Sequence, residues 1–230
     1  MRLRIASYNV HGFVGTDGVR DVPRIAAVLR SLEADVIALQ EVTFAEHAGE
    51  PGGPAELLAA LTGLVPIAAP VQRHDGYPFG NLVLTRLPVK ASRRIALDYL
   101  DREPRTALEV WLETGKRPLR LVATHLGLLP VERRFQVRQI LAHVAGDEDS
   151  VTALAGDFNE WSLIGRPLRW LHARFGRGPA VRSYPSRFPL FALDRIWVHP
   201  QTAMTRFDVH TSPTARRASD HLPVIAELAI

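Results

Sequence analysis

The chain has no cysteine among its 230 residues, only two methionines, and only two lysines, Lys90 and Lys116. Without thiols there is no disulfide framework, no cysteine-ligated zinc, no iron–sulfur cluster and no cysteine nucleophile. Stability must come from burial. At 230 residues and 47% hydrophobic content the chain can form its own core, and the length suits one domain spanning residues 1–230. Nowhere do apolar residues run to the ~18 that a membrane helix needs. The first residues, Met1-Arg-Leu-Arg-Ile5, lead straight into the polar Ser7–Gly12 and lack the apolar stretch of a secretory leader. The expectation is a cytoplasmic protein.

Charge is unevenly placed. Residues 1–115 carry 12 basic and 14 acidic side chains, whereas residues 116–230 carry 16 and 10. A basic second half is what a surface facing polyanions would show. Because 26 of the 28 basic residues are arginine, in a chain rich in Ala, Gly and Pro, coding bias accounts for the excess equally well.

Short β-branched runs alternate with helical stretches. Strands are expected at Leu3–Tyr8, Val36–Leu39, Asn81–Thr85, Val89–Leu97, Thr106–Leu112, Arg120–Thr124, Val151–Ala155, Leu193–Val198, Thr205–His210 and Val224–Leu228. Helices are expected at Val22–Leu32, Ala55–Thr62, Val131–Ala145 and Leu163–Phe175. In the helix at Val131, Phe135, Val137, Ile140, Leu141 and Val144 mark an apolar side, opposite Arg133, Arg134 and Arg138. Residues 80–112 hold three strands without a helix and read as an antiparallel meander, and Gly49–Pro54 reads as a surface loop. This many strands exceeds a simple doubly wound sheet. An α/β protein of two packed sheets with helices outside is expected.

Strong polar residues repeatedly sit at strand ends. Asn9 closes the first strand, Glu41 follows the second, His125 follows Leu121–Thr124, and Asp157 and Asn159 follow Thr152–Gly156. Asp194 opens a strand, and Asp220 and His221 precede the last one. Singly, such residues are turn formers or satisfied core polars. Together, these types can hold an oxygen-preferring cation, orient a water and move protons.

The motifs Ser7-Tyr-Asn-Val-His-Gly12, Leu39-Gln-Glu-Val42, Gly80-Asn-Leu-Val-Leu-Thr-Arg86, Thr124-His-Leu126, Gly156-Asp-Phe-Asn159, Leu193-Asp-Arg-Ile196 and Ser219-Asp-His-Leu-Pro223 resemble the endonuclease/exonuclease/phosphatase superfamily. They occur in that family's order over nearly the whole chain. The resemblance implies a four-layer α/β sandwich of the deoxyribonuclease I-like kind: two packed mixed β-sheets flanked by helices, with the site at one edge. It implies divalent-metal-dependent hydrolysis of a phosphate ester, with Mg²⁺ the expected ion and Mn²⁺ a substitute. Glu41 resembles the principal metal carboxylate, supported by Asn9 and Asp220. His221 resembles the catalytic histidine and Asp194 the carboxylate that orients it. Asp157 would orient the attacking water, and Asn159 would donate to a phosphate oxygen. His125 resembles the second histidine of the deoxyribonuclease I-like and sphingomyelinase-like branches. Arg105 stands where relatives carry an arginine that contacts phosphate.

Some candidates are set aside. His11 and His47 read as loop residues, and Arg133 with Gln136 as a structural tie between helix and loop. Ser7 and Ser219 lie in no nucleophile elbow. The catalytic tyrosine and asparagine of AP endonucleases have no evident counterparts, and 230 residues leave no room for the insertions of inositol polyphosphate phosphatases.

The segment from Trp161 to Leu193 holds six arginines, no acid and interleaved aromatics. It suits a nucleic acid backbone, anionic lipid headgroups, or a solvated face over a partly aromatic core. A nuclease-like phosphodiesterase is the leading reading. Beside it stand a lipid or small-molecule phosphodiesterase, a phosphomonoesterase using the same site, and a catalytically silent polyanion-binding module.

Overall fold

The computed structural model describes residues 1–44, 52–72, 78–115, 117–146 and 149–230. His47, and residues 49–51 of the expected loop at Gly49–Pro54, lie outside the described residues.

In chain order the elements are β1 (Arg2–Asn9), α1 (Val22–Ser31), β2 (Val36–Thr43), α2 (Pro54–Thr62), β3 (Val65–Gln72), β4 (Pro78–Thr85), β5 (Val89–Ala96) and β6 (Thr106–Leu112). There follow β7 (Leu119–His125), α3 (Pro130–Val144), β8 (Val151–Asp157), α4 (Arg166–Phe175), β9 (Asp194–His199), β10 (Met204–Val209), α5 (Pro213–Ala218) and β11 (Val224–Ala229). One mixed sheet has the order β10-β11-β1-β2-β4-β3, and the other β5-β6-β7-β8-β9.

The sheets pack face to face. Ile5, Val36, Ala38, Val83 and Ala226 of the first meet Val110, Leu121, Ala123, Ala153 and Ile196 of the second in one buried cluster. A second cluster seats α1, α2 and α5 on the outer face of the first sheet, and a third seats α3 and α4 on the outer face of the second. Alternating apolar faces on both sheets require this stack of four layers. The expected two-sheet sandwich is therefore the observed fold.

Three expectations need correction. The run 80–112 is not one meander, because β4 pairs with β2 and β3 in the first sheet while β5 and β6 lie in the second. With both edges of β4 taken, the next strand cannot pair beside it and lies in the second sheet. Strand β3 was not expected, since Pro66 and Pro70 break its pattern; it lies at a sheet edge, where a missing N–H is tolerated. Helix α4 begins at Arg166, after Gly165 and with Pro167 in its first turn, and so leaves Leu163 and Ile164 in a loop.

Helix α3 departs from the simple two-sided reading. Arg133 is buried, and its guanidinium donates to Leu128 O and pairs with Glu160 at 3.3 Å. Gln136 accepts from Gly127 N–H at 2.8 Å and donates to Leu97 O at 3.2 Å. This pair ties the helix to the loop after β7.

Candidate active site

Topology brings the strand-end residues together. Parallel pairing of β1 with β2, and of β7 with β8, puts Asn9, Glu41, His125 and Asp157 at one end of the sandwich. Antiparallel β9 sets Asp194 directly opposite Asp157. The turn before β11 then delivers Asp220 and His221 to the same end.

Local backbone geometry aims these groups. The β2–β4 register slips between Leu39 and Val42, and Glu41 within that bulge has φ of 56°. A bulge of this kind turns one side chain out of the pleat; here it turns Glu41 toward the pocket while its neighbour Gln40 stays buried against Ser7. Asn159 also has a left-handed backbone, φ 48°, and its N–H donates to Asp157 Oδ1 at 2.9 Å. Gly156 lets β7 and β8 close up, because a Cβ there would lie 1.9 Å from Thr124 O.

Asp157, buried between the sheets, is the centre of the constellation. The amide nitrogen of Asn9 bridges two acids, donating to Glu41 Oε1 at 2.8 Å and to Asp157 Oδ2 at 3.0 Å. Asp157 Oδ2 also lies 3.7 Å from His221 Nε2 and 3.6 Å from His125 Nε2. On its other side, His221 Nδ1 contacts Asp194 Oδ2 at 2.8 Å. The residues expected from the sequence thus converge on one pocket of about 350 Å³, lined by Glu41, Arg105, His125, Asp157, Asn159, Asp220 and His221 among others.

The electrostatics separate the two histidines. Burial opposes charge on His221, yet Asp194 and Asp157 outweigh it and raise its pKa to about 10. Burial lowers His125 well below the ordinary histidine value, reinforced by the charges of Arg105 and His221. Arg105 Nη1 meets His125 Nδ1 at 2.9 Å. A guanidinium can only donate, so Nδ1 accepts, while the Asn159 amide nitrogen, which donates to Leu126 O, lies 3.0 Å from Nε2. Nε2 also lies 3.6 Å from Asp157 Oδ2 and 3.9 Å from Glu41 Oε1. Burial pushes the Asp157 carboxyl upward despite the favourable charge of His221.

Arg105 is thus more occupied than a free phosphate ligand would be. Its Nη2 pairs with Glu103 at 2.7 Å, and its guanidinium lies 5.7 Å from the Phe79 ring. His11 lies at the periphery, its Nδ1 3.1 Å from Val14 O and 3.9 Å from Asp220.

Asp157, Asp194 and His221 each offer a ligand atom within 4.8 Å of the others. Asp194 is committed elsewhere, however, with Oδ2 held by both His221 and Ser183. The carboxylates of Glu41, Asp157 and Asp220 also line the pocket, and carboxylate oxygens suit a hard cation. The side chains present fit a divalent ion.

Sequence reasoning missed the segment that clamps His221. Ser183 donates its hydroxyl to Asp194 Oδ2 at 2.5 Å and its carbonyl accepts from Leu222 N–H at 2.9 Å. The Tyr184 ring packs on the imidazole of His221 with centroids 4.8 Å apart. Trp161 was singled out only as one aromatic among several; it lines the pocket and meets Tyr184 edge-on at 5.7 Å. A lone serine in an irregular stretch gives no periodic signal, and only its contacts reveal it.

Such a sandwich with its acid–imidazole pocket is a phosphoesterase-type architecture. The model of the family described as "Endonuclease/Exonuclease/phosphatase family" matches residues 6–221, and the chain belongs to that family. Its members are generally hydrolases of phosphoesters and typically depend on divalent metal. A protein of Escherichia coli K12, described as "Uncharacterized protein YbhP", is 27% identical over 248 residues, covering 98% of this chain and 95% of its own. The crystal structure of an endonuclease/exonuclease/phosphatase from Beutenbergia cavernae superposes with a TM-score of 0.76 at 26% identity, over 100% of this chain and 72% of that one. D. rerio TDP2 complexed with single-strand DNA product superposes with a TM-score of 0.74 at 18% identity, over 100% and 99% of the two chains.

Proposed function

We propose that the protein hydrolyses phosphodiesters by attack of a water activated by His221. The observation that carries this reading is the line Asp194–His221–Asp157, with contacts of 2.8 Å and 3.7 Å that put an oriented imidazole nitrogen at a buried carboxylate. In this reading Asp194 accepts a hydrogen bond from Nδ1–H, and once a bound cation offsets the acids that hold His221 charged, Nε2 faces the pocket free to take the proton of the water. Asp157 orients that water. Asn159, whose amide nitrogen lies 3.0 Å from His125 Nε2, donates to a phosphate oxygen, and Arg105 holds the other ring nitrogen of His125. With its charge suppressed, neutral His125 stabilises the transition state beside Asn159 rather than acting as an acid. Glu41, Asp220 and the Asn9 amide, with Asp157 beside them, would hold Mg²⁺ or Mn²⁺, which would neutralise the acids around His221 and polarise the phosphoryl group.

A monoanionic diester suits this pocket better than a dianionic monoester. Among its described lining residues Arg105 supplies the guanidinium, already paired with Glu103, whereas Glu41, Asp157 and Asp220 supply negative charge. Leu128, Trp161, Tyr184 and Leu193 give the pocket an apolar wall for an ester group. That D. rerio TDP2 was solved with single-strand DNA product adds DNA to the substrates worth testing.

Turnover of bis-p-nitrophenyl phosphate with and without Mg²⁺ is the direct test. His221→Ala is expected to slow it by about 10²–10⁴-fold, as loss of a general base does. Undiminished turnover in that variant would sink the mechanism.

A further inference from the structure

Exposed apolar side chains concentrate beside the pocket mouth. Leu163 and Ile164 stand 65% and 80% exposed in the loop before α4, and Phe188 and Leu190 stand 78% and 60% exposed in the loop before β9. The two loops meet through Trp161, whose ring packs on Phe191 with centroids 4.8 Å apart. Trp161 also lines the catalytic pocket, so the patch is continuous with the mouth. An apolar cluster this open marks an interaction surface.

The segment that carries the tips is basic, whereas the adjoining pocket holds Glu41, Asp157 and Asp220. Between Trp161 and Leu193 there is no acidic residue. Arg166, Arg169, Arg182 and Arg187 are all exposed. Of these, Arg166, Arg169 and Arg182 have no ion-pair partner among the described residues.

The geometry points to a peripheral docking surface for an anionic lipid bilayer, formed by the two apolar loop tips with the exposed guanidinium groups of the same segment. Of the four tips only Phe188 has a π-face on which a base could stack, and the other three are aliphatic. An acyl–headgroup boundary offers what both parts need: hydrocarbon for Leu163, Ile164, Phe188 and Leu190, and phosphates for the arginines. On docking, the catalytic pocket would open toward the headgroups. The inference concerns the surface and stands apart from the reaction proposed above.

Co-sedimentation with vesicles of equimolar phosphatidylglycerol and phosphatidylcholine tests it, with pure phosphatidylcholine vesicles and single-stranded DNA as the other arms. The protein is expected to bind the anionic vesicles and to retain part of that binding at high salt, which screens the arginines but not the apolar tips. The double variant Ile164→Glu/Phe188→Glu should bind them at least about tenfold more weakly. Both positions are largely exposed and lie outside the pocket, so folding and turnover of bis-p-nitrophenyl phosphate should stay as in the parent. Absence of vesicle binding, binding to DNA alone, or vesicle binding indifferent to the double substitution would each overturn the inference. Vesicle binding without diester turnover would instead overturn the proposed reaction and leave the docking surface standing.

Discussion

Ser183 donates its hydroxyl to the same oxygen of Asp194, Oδ2, that receives His221, and the Asp194 N–H points back at the Ser183 hydroxyl at 3.4 Å. Asp194 is fully buried and its second oxygen, Oδ1, has no hydrogen-bond partner among the described residues. Ser183 is therefore a positioning residue, holding the carboxylate that holds the imidazole. Removing a donor from a buried charged group costs about 1–3 kcal/mol. Ser183→Ala should lower kcat about tenfold or more with little change in KM, and Ser183→Thr, which keeps the hydroxyl, should recover most of it. Equal loss in both variants would show that packing, not the hydrogen bond, matters there.

The acidic gathering at Glu41, Asp157 and Asp220 makes chelation informative. EDTA is expected to abolish diester turnover and Mg²⁺ to restore it, while Glu41→Gln should raise the Mg²⁺ concentration for half-maximal rate by about tenfold or more. Turnover that survives chelation would remove the cation from the mechanism.

Asp17 supplies a pH prediction outside the pocket. The Arg24 side chain, then the Val19 N–H, then Arg217 hold its carboxyl far below the ordinary aspartate value. A carboxyl whose pKa is depressed by folding stabilises above its unfolded pKa, near 3.8, and loses that contribution as pH falls toward the folded value. Asp17→Asn should therefore unfold at a lower temperature than the parent at neutral pH, with the gap narrowing below about pH 4. Thermal unfolding followed by circular dichroism across that range checks the sign. A gap independent of pH would assign the effect to shape rather than charge.

Gly156 lies where two strands nearly touch. Gly156→Ala is expected to destabilise by about 2 kcal/mol or more, since the added methyl meets the Thr124 carbonyl. Urea unfolding measures it. Because His125 and Asp157 sit one residue beyond this contact, diester turnover should fall even at temperatures where the variant remains folded.

What was readable without coordinates was local. Periodicity found most strands and the four longer helices, because burial on one face writes a repeat into the chain. It failed at β3, where edge position excuses two prolines, and at the crossing from β4 to β5, which depends on which edges are already paired. The count of strands pointed to two packed sheets and the polar residues stood out at strand ends, while the ordered motifs supplied the residues' roles.

The sequence by itself determined the inventory: which acids, amides and imidazoles close the strands, and that no thiol takes part. Tertiary structure alone decided their partnerships. Nothing in the order of residues says that Arg105 caps Nδ1 of His125, that Asn9 bridges acids from two sheets, or that Ser183 braces Asp194. Those contacts join positions many residues apart, and their geometry exists only once two twisted sheets are stacked and their ends brought level.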